Sequence, residues 1–194
     1  MNMPNSEASG PGETGPFREV IVLLEPVEYP PMNHSSLLAS ILVRYPEIGT
    51  LKMLPGSRCI RLGFFVNGVY GPGSLDRFFR HFRDSIDTLT YLTGVKPSLL
   101  DVCLSHRETV LVIELDRDID TISLEEISLI ATLVRDQFGA DLLCGESSAD
   151  VEDSAWYEDL IQHMLEDIGE ETFLHELIGF REGNRVLVYD KSVG

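Results

Sequence analysis

Short apolar runs alternate with longer stretches of three- and four-residue apolar periodicity, and Gly- and Pro-rich breaks separate them, a pattern that predicts an α+β fold. Read in order, the elements are βαββαββαβ followed by a helix and a hairpin. The first six match a ferredoxin-like β-α-β-β-α-β start, so we expect a two-layer sandwich with helices on one face of a mostly antiparallel sheet. The additional βαβ either extends that sheet or forms a second subdomain, and a C-terminal helix plus hairpin completes the chain. Many unrelated functions share such an order, so it carries no function by itself.

Residues 1–16 are Pro, Gly, Ser and Glu with almost nothing to bury, and read as a disordered tail. They hold neither the basic nor the apolar region of a secretory signal, so a cytoplasmic location is expected. Residues 19–24 are a near-continuous apolar strand, stopped by Pro26, Pro30 and Pro31. Asn33 caps a helix carrying Leu37, Leu38, Ile41 and Leu42, which ends before Pro46. Residues 50–54 and the run from Arg58 form a hairpin about the turn residues Pro55, Gly56 and Ser57.

Next comes a strand over residues 59–66, a glycine-rich loop over 67–73 and a helix reaching Thr93. Its apolar face is Leu75, Phe78, Phe79, Phe82, Ile86 and Leu89, and Gly94 closes it. Opposite, Asp76/Arg80, Arg80/Asp84 and Arg83/Asp87 stand at i,i+4. Residues 98–104 and 109–115 predict two further strands joined by a short polar link. Ser123 and Glu126 form a capping box for a helix that Gly139 stops, and residues 140–144 predict a short strand. The core domain is thus expected over 17–144 and an acidic linker over 145–154. The segment 155–194 contributes a helix and a hairpin turning at 182–184, packed on the core or on a second chain.

The chain has 194 residues, 43% of them hydrophobic, enough for a sizeable core. Its net charge of −17 opposes general binding to nucleic acid or to an anionic membrane. The charge is segregated. Residues 44–107 hold nine Lys and Arg against five Asp and Glu, whereas residues 136–180 hold thirteen acids and no Lys or Arg. The three cysteines, Cys59, Cys103 and Cys144, have neither zinc-finger nor redox spacing, and each sits among apolar residues. We expect reduced, buried thiols.

Catalytic patterns are sparse. Gly68 and Gly73 have the spacing of a phosphate loop, but Ser74 stands where the lysine belongs and Leu75 where the hydroxyl belongs. Nucleotide hydrolysis of that type is therefore excluded. A weaker anion site survives at Gly71, Gly73 and Ser74, with Arg77 and Arg80 one and two turns along, set against an ordinary structural turn. Asp116, Asp118 and Asp120 alternate like calcium ligands, but Thr121 and Ile127 stand where an EF-hand needs Gly and Glu. No histidine pair has metal-protease spacing, so no metal and no cofactor are expected.

The C-terminal helix places Trp156, Leu160 and Met164 on an apolar stripe and Glu158, Asp159 and Glu166 on the remaining surface. Either it folds back on its own sheet or it docks on another chain. The composite expectation is a non-enzymatic interaction or regulatory protein. It would be homodimeric, acting through the basic central region and the acidic C-terminal segment. The alternative is a domain for a small anionic ligand, centred on residues 67–74.

Overall fold

The computed structural model describes residues 18–20, 33–145, 151–168, 174–182 and 185–191. Among these residues seven strands form one sheet: β1 (Arg18–Val20), β2 (Thr50–Leu54), β3 (Cys59–Asn67), β4 (Leu100–Arg107), β5 (Val110–Asp118), β6 (Glu176–Glu182) and β7 (Arg185–Lys191). Four helices accompany it: α1 (His34–Arg44), α2 (Pro72–Thr93), α3 (Leu124–Phe138) and α4 (Val151–Ile168). The α+β class is as the periodicities predict. The expected tail over 1–16, the remainder of the strand over 19–24 and the turn residues 183–184 lie outside the described residues. So do residues 146–150 of the expected linker, whose last four residues belong to α4.

The strand order is β1-β7-β6-β2-β3-β5-β4, and every pairing is antiparallel. This departs from the ferredoxin-like order, which sets the first strand inside the sheet and parallel to a neighbour. Here β1 is a three-residue strand at one edge, against β7. The hairpin β2–β3 leaves two free edges; β5 takes one and β6, from far along the chain, takes the other. The expected strand over 140–144 is also absent. Gly139 turns with φ 51°, a single 3-10 turn follows, and only Leu142 bridges to Val66.

Alternation along the strands puts Leu51 and Met53, then Ile60, Leu62, Phe64 and Val66, then Leu111, Ile113 and Leu115 on one face, all buried beneath the helices. α1 is buried over seven consecutive residues because the sheet and α4 both pack on it. It comes so close to β6 that a Cβ on Gly179 would sit 2.8 Å from Leu42 Cδ1. Arg181 completes that contact by donating to the carbonyls of Leu42 and Val43 at the α1 C-terminus, where a positive charge is favoured. The other face of the sheet carries a charge mesh. Arg61 grips Asp116 at 2.5 and 2.7 Å, and Lys52 lies 3.5 Å from Glu114.

The largest fully buried side chain is an arginine, Arg117, on the helix-covered face of β5. Its Nε and one terminal nitrogen grip the Glu126 carboxylate at 2.7 and 3.0 Å. The rest of the guanidinium donates to the Asp118 carboxylate and carbonyl, to Thr121 Oγ1 at 2.9 Å and to the Thr121 carbonyl at 3.1 Å. Ser123 caps α3 as expected, accepting from the Glu126 amide at 3.2 Å. The Glu126 carboxylate, however, does not reach back to close the capping box; it is spent on Arg117.

Asp118 in turn accepts from the backbone N–H groups of Ser98 and Leu99, both at 2.8 Å, and so fixes where β4 begins. Burial works to raise its carboxyl. The hydrogen bonds from Thr121 and Leu99, the Arg117 charge and the Ser98 bond outweigh burial and hold it below the usual carboxylate range.

Two outcomes follow for stability. Glu126→Ala removes one of the two carboxylates that hold the buried Arg117 guanidinium, leaves two of its N–H donors unmatched, and costs about 3–5 kcal/mol, read as a lower urea midpoint. The depressed Asp118 carboxyl stabilises the fold fully above its unfolded pKa of about 3.9, and this contribution is lost as pH falls through the folded value. The stability gap between wild type and Asp118→Asn, measured by denaturation at a series of pH values, therefore narrows on acidification below about pH 4.

Candidate interaction surface between α2 and the edge strand

α2 starts at Gly71 as N-cap with Pro72 in its first turn, and ends at Gly94, whose φ of 72° gives the left-handed stop that glycine adopts freely. Its 22 residues span about 33 Å. Leu75, Phe78, Phe82 and Ile86 are buried. Phe78 is the packing hub, with ring centroids 5.2 Å from Phe79, 5.8 Å from Phe82 and 5.2 Å from Phe138. Tyr70, in the glycine loop, meets Phe138 edge-on at 5.1 Å and donates to Asp141 at 2.7 Å. Burial first, then that bond, pushes its phenol up to about 12.

The residues expected to hold an anion lie at the open start of α2. Gly71 and Gly73 are exposed, and a Cβ on either would meet nothing within 4 Å. Ser74 is partly covered and its N–H bonds to the Gly71 carbonyl at 3.1 Å. Arg77 and Arg80 are exposed, and Arg80 Nε donates to the Asp76 carbonyl at 3.4 Å. The i,i+4 ion pairs expected along this helix do not close; its charges stand in solvent. An open cleft of about 490 Å³ lies beside the first turns of the helix, lined by Asp76, Phe79, Arg80, Arg83 and Asp84, and Gly71, Gly73, Ser74 and Arg77 do not line it.

The interaction residues expected on the C-terminal helix are divided by the packing of α4. Leu160 and Met164 are buried in the chain's own core, where α4 packs on α1 and α3, and Trp156 is half-buried with its ring 4.9 Å from that of Tyr157. Glu158 is held by Arg44, whose Nε donates at 2.9 Å. Asp159 and Glu166 are exposed; Gln162 donates to Glu166 at 2.6 Å, and His163 Nδ1 lies 2.7 Å from the Asp159 carbonyl. The alternating aspartates each have an arginine: Asp116 with Arg61, Asp118 with Arg117, and Asp120 with Arg58 at 3.1 and 3.2 Å. Among the described residues no three His, Cys, Asp or Glu side chains converge on a metal position.

Cys59 is buried, and that burial, reinforced by Asp116, raises its thiol pKa. Cys103 and Cys144 are exposed, against expectation. Cys103 is on the uncovered face of an edge strand, and Cys144 follows the turn that replaces the expected strand.

A more developed feature lies where α2 passes over β4. Phe79, Arg83 and Asp87 on the helix and Leu100, Val102 and Leu104 on the strand line a cleft of about 450 Å³. The three strand residues are only half-buried. Beyond the cleft, Tyr91, Leu92 and Val95 are 86, 74 and 47% exposed, and Tyr91 continues the Phe79–Arg83–Asp87 stripe at the next i+4 step. β4 ends the sheet, so its outer backbone edge has no strand beside it among the described residues.

The register shows which groups point out. Asp118 N–H bonds to the Leu99 carbonyl, and antiparallel pairs alternate, so residues 101, 103, 105 and 107 bond to β5. Leu100, Val102, Leu104 and His106 then turn their N–H and C=O groups away from the sheet. Alternation identifies the strand in the sequence, but nothing in a single chain marks it as an edge.

No family model matches this chain, and neither the curated proteins nor the solved structures yield a match to it.

Phe78→Ala should cost about 3–5 kcal/mol in chemical denaturation, because it opens a cavity among three other rings. Phe79→Ala, at the cleft wall, should cost distinctly less.

Proposed function

We propose that this chain is a non-enzymatic protein-interaction module of the cytosol that binds an extended polypeptide segment by strand addition at β4. The observation that carries the reading is the eight-residue edge of β4, with no strand beside it among the described residues, running beside a cleft of mixed apolar and charged lining. Strand addition uses both features: main-chain hydrogen bonds along the edge supply affinity, and alternate side chains drop into the groove. Edge strands are usually blunted by Pro, by a bulge or by shortness. β4 has no proline and pairs with β5 without interruption over its whole length. The exposed Arg83 in the cleft wall, the exposed Arg77 and Arg80 on the same helix, and the exposed acids of α4 would add electrostatic selection of the partner. No described helix is long and apolar enough to cross a membrane.

Val102→Pro tests the reading, since it removes an outward N–H that β5 does not use. Affinity capture with the wild-type chain as bait should recover partners that the Val102→Pro bait loses, with both proteins showing the same circular dichroism. An identical captured set from both baits would remove strand addition at β4 from consideration.

A further inference from the structure

We infer that the segment this edge accepts is β4 of a second copy, paired antiparallel about a two-fold axis at Leu104, so that two seven-stranded sheets join into one. The inference rests on the strand-addition reading of the β4 edge and names its occupant.

β4 is self-complementary in charge. Asp101 and Arg107 stand near its two ends, both exposed and both on the uncovered face. Six residues apart on an extended strand they are about 20 Å from one another and do not meet within a chain. An antiparallel copy in the register that sets Leu104 against Leu104 brings Asp101 of each chain directly opposite Arg107 of the other. Two ion pairs form by symmetry, as a two-fold interface requires. That register also pairs outward-pointing residues with one another: Val102 with the second copy's His106, and Leu104 with itself. The exposed N–H and C=O groups are thereby matched, and no like charges are opposed.

The helix side agrees. Val102 and Leu104 are only half-buried, and the two copies would set these residues side by side beneath two α2 helices. The cleft stripe of α2 carries one charge of each sign, Arg83 and Asp87, and a two-fold brings such a stripe antiparallel to itself. Net charge points the same way. The whole chain carries −17, which opposes self-association of most surfaces, but residues 72–107, which hold α2 and β4, carry five Lys and Arg against four Asp and Glu and are close to neutral.

The test is light scattering after size exclusion over a concentration series, on the full chain and four variants. The wild type should be dimeric and Val102→Pro monomeric. Asp101→Arg and Arg107→Asp, both at exposed positions that leave the fold intact, should each raise the dimer dissociation constant about tenfold or more, since each places like charges opposite one another. The double variant Asp101→Arg/Arg107→Asp should recover the wild-type constant, which a loss of folding would not allow. A wild type that stays monomeric overturns the inference. If Val102→Pro still loses captured partners in that case, the edge reading survives with a different occupant; if it does not, both fall. A wild-type dimer indifferent to Val102→Pro and to the charge reversals places its interface elsewhere and equally overturns the inference.

Discussion

The guanidinium of Arg117 is the constraint around which the sheet and helices are set. An ion removed from water must have nearly all its donors matched, or the desolvation cost exceeds what attraction returns. Glu126 and the Asp118–Thr121 turn meet that condition. Matching those donors fixes three things together: where α3 starts, how the β5–α3 turn is shaped and, through Asp118 and the amides of Ser98 and Leu99, where β4 enters the sheet. The edge that carries the proposed function is therefore positioned from inside, by a polar cluster on the helix-covered side of the neighbouring strand.

Much of the local structure was legible in the residues. Asn33 and Ser123 cap the helices they were expected to cap, Gly94 ends α2, and the runs for β2, β3, β6 and β7 are where alternation places them. Sequence reasoning failed where distance along the chain decides the outcome. Which strand takes the free edge of β2 depends on α1 packing against Gly179 and on Arg181 reaching the end of α1, partners over a hundred residues apart. Glu126 was misread in part for the same reason. A capping box is a local pattern, and the buried arginine that claims the carboxylate is not identifiable as buried until the sheet is formed.

The cysteines and the site residues show the same limit. Cys103 lies among apolar neighbours in sequence, yet alternation turns it to the uncovered face, whereas Cys59 is enclosed. Leu160 and Met164 were read correctly as an apolar stripe, but periodicity names a face without naming what covers it, and the cover is α1 and α3. The glycine loop was judged by its spacing. In space most of it is exposed, and the cleft against β4 lies farther along the same helix, from Phe79 to Asp87. Phe79, on the apolar face that periodicity marks, both packs against Phe78 and walls the cleft.

β2 sits between β3 and β6, in the middle of the finished sheet, although its two neighbours are separated by more than a hundred residues of chain. During vectorial synthesis the hairpin β2–β3 emerges early and then waits, with the outer edge of β2 bare, until residues 176–182 have been made. An unpaired edge of that kind on a half-made sheet is where chains stick to each other or call on a holdase. The protein thus carries two hazardous edges at different times. The one on β2 is transient and closes with the C-terminal hairpin. The one on β4 has no strand beside it among the described residues even once the sheet is complete.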